Sequence, residues 1–197
     1  STVAANLAAT GEFRDPFAGV PTGPTAHVAP VYTFLLAVII RVFRRADSVM
    51  WAATILNAGL LGLTAALLPG LARRIYGNPA AGVMGGVLLA LSSRLMPQWE
   101  VALSALLLLA ATIAIFERDA GMAGLCSGVS LLANPLSLPV LGFLVPRRGK
   151  RFAAIALGAA FAVCAPWLVR NWVMLGAPYF IRDNFGLELY ISNHDKA

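Results

Sequence analysis

"PVYTFLLAVIIRVFRRAD", residues 30–47, decides how this chain is arranged. Eleven uncharged, mostly apolar residues run from Pro30 to Ile40, and Arg41, Arg44 and Arg45 follow. Proline is at home in the first turn of a helix, where its missing N–H costs nothing. A helix that crosses a bilayer needs ~20 apolar residues. The stretch therefore predicts an interfacial or partly inserted helix with its arginines at headgroup level. The rival is a short crossing helix whose arginines snorkel to the surface.

The choice propagates along the chain. Segments able to cross a membrane are expected at 49–71, 79–95, 99–116, 120–133, 136–146 and 152–169. If helix 30–45 does not cross and the N-terminal loop is outside, Arg73-Arg74, Arg118 and the cluster Arg147, Arg148, Lys150, Arg151 all fall inside. Every major basic cluster except the one on helix 30–45 then obeys the positive-inside rule. If helix 30–45 crosses, Arg73-Arg74 and Arg118 move outside. The first arrangement fits better. Asn134, Pro135 and Pro139 interrupt the fourth and fifth segments, which read as a hairpin of short helices or a re-entrant pair.

Composition agrees. Of 197 residues, 59% are hydrophobic and 12% charged, and mean hydropathy is +0.77, more apolar surface than a soluble domain can hide. The fold class expected is an all-α, polytopic transmembrane helix bundle of about six spans plus an interfacial juxtamembrane helix. Its organisation is an external loop with juxtamembrane helices (1–47), a helical core (48–169) and an external aromatic and polar segment (170–197). Within the first of these, "STVAANLAAT" predicts a short helix capped by Ser1 or Thr2 and stopped by Gly11; the four prolines of residues 12–30 predict loop. The net charge of +6 resides in clusters at segment ends, with no basic stripe interleaved with aromatics, so nucleic acid is excluded as a partner and anionic lipid is favoured. Cys126 and Cys164 sit in apolar segments without metal-site spacing and read as packing residues.

In this topology Asp47, Glu117 and Asp119 adjoin arginines at helix ends. The outer face collects Glu12, Asp15, His27, Arg94, Glu100, Asn134, Arg170, Asn171, Arg182, Asp183, Glu188, His194 and Asp195. Glu100 has two readings: a helix N-terminal acid favoured by the macrodipole, or a cavity-facing carboxylate with Arg94 as partner. In "APWLVRNWVMLGAPYFIRDNFGLELYISN", residues 165–193, the aromatics suit an interfacial belt. The interleaved Arg170-Asn171 and Arg182-Asp183-Asn184 equally suit a phosphate, with aromatics to stack on a sugar. His27 and His194 stand alone, without the spacing of a metal pair; His27 is kept as a candidate substrate-binding group.

The ordered set "ANLAATGEFRDPFAGVPTGPTAHVAPVYTFLLAVIIRVF", "LLPGLARRIYG", "SSRLMPQWEVALSALLLLAA" and "APWLVRNWVMLGAPYFIRDNFGLELYISN" resembles bacterial membrane glycosyltransferases of the GT-C class, glycosyltransferase family 39. These are relatives of dolichyl-phosphate-mannose–protein mannosyltransferases and of lipid A aminoarabinose transferases. The resemblance covers almost the whole chain; "PWxxRN…RDNFGLELY" is its most specific part. It implies an inverting enzyme of the bacterial inner membrane, active on the face outside the cytoplasm. Its donor would be a polyprenyl-phosphate-linked sugar and its acceptor a protein or lipid hydroxyl. "SRLMPQWE" resembles the family's second acidic site, with Gln98 after Pro97 and the acid two residues later at Glu100. The acid of the first external loop is expected upstream of Ser1, in a chain that begins and ends mid-protein; this piece alone is then expected to be inactive. Of the acids present, Glu100 and Asp15 are the catalytic candidates. Arg94, Arg170, Asn171, Arg182 and His27 are the candidates for binding carrier phosphate or substrate. A divalent metal ion, if the reaction uses one, would fall to Glu100. Two readings of other classes stand beside this one: a transporter or flippase-like carrier, which needs a polar path through the helices, and a non-catalytic membrane subunit.

Overall fold

The computed structural model describes residues 1–92, 100–184, 186, 189, 190 and 193. Among them the chain is all helical. Its helices are α1 (Thr2–Thr10), α2 (Pro30–Phe43), α3 (Ala46–Tyr76), α4 (Ala80–Ser92), α5 (Val101–Glu117), α6 (Ala120–Ala133), α7 (Leu138–Leu144) and α8 (Lys150–Leu175). Single 3-10 turns flank α7, at Pro135–Ser137 and Pro146–Arg148, so the two segments interrupted by Asn134 and Pro135 are two short helices, α6 and α7, while Pro139 sits in the first turn of α7.

The ends of these helices follow from their residues. Gly11, Gly77 and Gly176 close α1, α3 and α8 in the left-handed conformation, where a Cβ is penalised. Asp119 caps α6 by accepting from Met122 N at 2.9 Å. Ser1 is the N-cap of α1, as expected, though its side chain makes no capping bond.

Only two residues, Arg44 and Arg45, join α2 to α3, so the pair folds back as an antiparallel hairpin. Its register is visible in the Tyr32 hydroxyl, which donates to Asn57 Oδ1 at 3.1 Å, and in Leu36 and Ala53, buried in one cluster. Beyond Asn57 the 31-residue α3 continues to Tyr76 and packs on α4 and α5. The main core lies among α5, α6, α7 and α8, around Ala111, Ile115, Leu131, Leu141 and Cys164. α6 and α8 approach closely through small residues. A Cβ on Gly128 would stand 2.7 Å from Val163 Cβ, and one on Gly124 would collide with the carbonyl of Ala156.

The two ends of the bundle differ in character. Arg74 pairs with Glu117, and the Arg148 guanidinium lies 4.8 Å over the Phe116 ring, which brings the C-termini of α3 and α5 and the turn before α8 to one basic end. The loop between α1 and α2, Glu100, and the segment after α8 collect at the opposite end. Among the described residues two helices, α3 and α8, are long and apolar enough to cross a membrane; α2, α4, α5 and α6 are apolar but shorter. Only 17% of the most apolar stretch of α3 and 22% of that of α8 is buried against the rest of the chain. The core helix of a soluble protein would be mostly buried. Here Ile55, Leu63, Phe161 and Val169 face outward instead.

Candidate functional site

The loop between α1 and α2 is ordered by its own backbone. Asp15 N donates to Gly23 O at 3.0 Å and Thr25 N to Phe13 O at 3.3 Å, closing the loop across an Arg14–Pro24 bridge. Asp15 has φ +50, a conformation that aspartate tolerates better than most residues. Its Oδ1 accepts from Thr22 N at 2.8 Å and Gly23 N at 2.7 Å, and its Oδ2 from Arg14 Nε at 2.8 Å. The Gly23 amide, helped by those of Thr22 and by Arg14, holds the Asp15 carboxyl below the ordinary carboxylate range. Asp15 is thus the knot of the loop, with both oxygens engaged.

Arg170 fixes that loop to α8. Its Nη1 donates to Thr25 O at 2.7 Å and its Nη2 to Phe13 O at 2.8 Å. Its guanidinium lies 4.9 Å from the Trp167 ring and 5.4 Å from that of Phe13, and Phe13 meets Trp167 edge-on at 4.9 Å. Asn171 is fully buried: its Oδ1 accepts from Arg170 Nη1 at 3.1 Å, and its Nδ2 donates to Tyr179 O at 3.0 Å. The "PWxxRN" residues are therefore joined, but to backbone carbonyls and to each other. Beneath them, Trp167 Nε1 donates to Ile181 O at 3.1 Å.

These bonds draw the chain after α8 back across the end of the bundle. Asp183 N donates to Ala26 O at 3.1 Å, tying this segment to the loop as well. The fold-back carries Arg182 to Glu100: Arg182 Nη2 donates to Glu100 Oε1 at 3.3 Å. The side chains are 14% exposed for Glu100 and 25% for Arg182, between a surface pair and a buried one. Arg182 Nε is buried without a partner among the described residues. Glu100 is the N-cap of α5, yet its side chain makes no capping bond; Ser104 N and Oγ bind its carbonyl instead. Tyr32 is buried in one cluster with Leu103, in the first turn of α5 after Glu100, so the Tyr32–Asn57 bond lies at the same end of α5 as the Arg182–Glu100 pair.

Of the residues singled out in the sequence, Glu100 and Arg182 are in contact, while Arg170, Asn171 and Asp15 form the scaffold beside them. His27 is part-buried in the loop, its ring 5.1 Å from that of Phe17 and its backbone N–H donating to Thr25 Oγ1 at 3.0 Å. Arg94 lies outside the described residues, as do Glu188, His194 and Asp195; among the described residues the partner of Glu100 is Arg182. Tyr32 and Asn57 were not singled out as site residues. The available signal was a lone amide inside an apolar run and a tyrosine in the first turn of a helix. Among the described residues no three His, Cys, Asp or Glu side chains converge, and the described partner of Glu100 is a cation. That donor set does not fit a divalent ion.

A cleft of about 430 Å³ opens beside this end, lined by Phe13, Phe34, Trp167 and Met174 with Arg14 and Arg170 at its polar edge. It offers an apolar wall with two guanidinium groups at its edge, and Arg170 stands twelve residues before Arg182 in the chain. No family model matches the chain, and neither any curated protein nor any solved structure matches it.

Proposed function

We propose that this chain is the membrane core of a glycosyltransferase that moves a sugar from a polyprenyl-phosphate carrier to an acceptor hydroxyl. In this reading the helices form a bundle of about six spans in a bacterial inner membrane. The basic end carrying Arg73, Arg74, Arg118 and Arg147 faces the cytoplasm, and the loop-bearing end faces outward. What carries the reading is the Glu100–Arg182 pair, a carboxylate and a guanidinium brought together from 82 residues apart at the end opposite the basic one. A transfer with inversion needs those two chemistries. A carboxylate takes the proton of the acceptor hydroxyl while the acceptor oxygen bonds to the anomeric carbon. The bond from that carbon to the carrier phosphate breaks, and cations stabilise the phosphate that leaves. Glu100 is the base in this scheme. Three donors fill Asp15, which makes it the poorer acceptor of a proton. Arg182 exchanges its carboxylate for the carrier phosphate, with Arg94 the second candidate cation. Arg170 and Asn171 hold the loop that walls the cleft.

The test is transfer of label from polyprenyl-phosphate sugars by the full-length protein in liposomes, wild type against Glu100→Gln. Loss of transfer with the fold intact supports the assignment. Unimpaired transfer removes Glu100 from the reaction, and absence of transfer by wild type with every donor removes the enzyme reading. One observation favours a carrier instead: the hydroxyls of Ser127 and Ser130 on α6 are buried without partners among the described residues, polar groups in a greasy interior. Lipid-phosphate exchange across the bilayer without transfer to an acceptor would support that second reading.

A further inference from the structure

A second cleft, of about 220 Å³, runs between α1 and α2. Leu7, Ala8, Gly11, Phe34 and Val38 line it, and Arg41 closes one end. Leu7, Gly11 and Phe34 also line the larger cleft at the loop, so the trough between α1 and α2 borders that cleft across these residues. The trough is open to the outside of the molecule, with Phe34 and Val38 both exposed.

Its two ends differ in charge. At the loop end Arg14 is bound by both Glu12 and Asp15, at 2.8 Å each, and Arg170 already gives its N–H groups to Thr25 O, Phe13 O and Asn171 Oδ1. At the other end Arg41 is exposed and forms no ion pair among the described residues, and Arg44 and Arg45 follow, also exposed. An amphiphile whose apolar chain fills the trough would therefore place an anionic head at Arg41 rather than at the loop. The head would then stand at the far end of α2 from Tyr32, which lies at the Glu100 end of α5, so this occupant is not a carrier poised for reaction.

We infer that the α1–α2 trough seats one acyl chain of an anionic phospholipid, with the lipid phosphate held by Arg41 and supported by Arg44 and Arg45. Guanidinium binds phosphate oxygens in a bidentate manner, and its aliphatic stem covers apolar surface beside the chain. The inference rests on the membrane part of the proposed function and is independent of the glycosyltransferase part.

The experiment incorporates the full-length protein into vesicles of phosphatidylcholine with a minor share of phosphatidylglycerol. It then counts the lipids retained after detergent extraction by native mass spectrometry. Wild type is expected to keep one phosphatidylglycerol per chain in preference to phosphatidylcholine. Arg41→Gln should weaken retention roughly fivefold, the effect of about one interfacial basic residue. Arg41→Lys should keep most of it, and Ala8→Phe, which fills the trough without touching a charge, should lose it. Helix content measured on each variant separates loss of the seat from loss of the fold. Equal retention of both lipids, or retention unchanged in Arg41→Gln and Ala8→Phe, overturns the seat and leaves the membrane reading standing. Failure of wild type to enter vesicles at all overturns the membrane reading and the seat with it.

Discussion

Arg182 Nη2 lies 3.3 Å from Glu100 Oε1, a contact between the first residue before α5 and the segment that folds back after α8. The pair is partly shielded, so removing one partner costs more than at an exposed pair and less than at a fully buried one. Arg182→Gln should lower stability by about 1–3 kcal/mol, between those limits. Thermal unfolding in detergent of Arg182→Gln, Glu100→Gln and the double variant checks this. The double variant should lose less than the sum of the two single changes.

Arg170→Ala should free the loop between α1 and α2. It removes charge-assisted bonds to Thr25 O and Phe13 O and the cation over Trp167. The expected loss is about 2–3 kcal/mol of local stability. Limited proteolysis reads it as new cleavage among residues 16–24, with the helices still resistant. Arg170→Lys should rescue only in part, since an ammonium cannot span both carbonyls in the fork of a guanidinium.

The loop should also respond to acid through Asp15. Hydrogen bonds, first among them that from Gly23, depress its folded pKa, so the stabilisation is complete above the ordinary aspartate value of about 3.9 and is lost as pH falls through the lower folded value. Resistance of the loop to an acid-active protease should therefore hold at mildly acidic pH and fall below that range. In Asp15→Asn the loop should be more open at neutral pH and lack this acid transition.

Glycines on α6 and α8 should answer differently to the same change. Gly128→Ala places a methyl 2.7 Å from Val163 Cβ, and should lower stability by about 1–3 kcal/mol as the helices are forced apart. Gly158→Ala, on α8 with nothing within 4 Å, should be neutral or stabilise by up to about 1 kcal/mol. Melting temperatures of the two variants compare them directly.

The orientation proposed for the bundle predicts the side from which single cysteines are labelled. In a background lacking Cys126 and Cys164, Val20→Cys should react with an impermeant maleimide in intact cells. Arg118→Cys should react only after permeabilisation. The reverse pattern would invert the bundle, and equal labelling of both in intact cells would argue against a membrane between them.

The helices were legible in the sequence because apolar runs bounded by charge or proline are local signals. The segment expected at 120–133 is α6, and that at 99–116 is α5 shifted by one or two residues. α3 and α8 run longer than expected, to Ala46–Tyr76 and Lys150–Leu175, because both helices continue through their flanking charges. The outer collection of polar residues could be listed, but not its pairings. Glu100 meets Arg182 across 82 residues, and Arg170 meets Thr25 and Phe13 across 145 and 157. Contacts so distant leave no periodicity to read. The sequence also could not separate Arg170, which grips backbone, from Arg182, which holds a carboxylate, because both stand among aromatics in the same stretch.

The grip of Arg170 on carbonyl oxygens has an evolutionary consequence. A carbonyl is present whatever side chain stands at position 25, so substitutions there leave the clasp intact. Position 170 has no such freedom, because only a guanidinium reaches both oxygens. Any constraint on position 25 would come from its own burial and from the bond that His27 N donates to its hydroxyl, not from the arginine, so the two would show no correlated change despite touching. A contact of this kind is invisible to coevolution and yet intolerant at one of its ends.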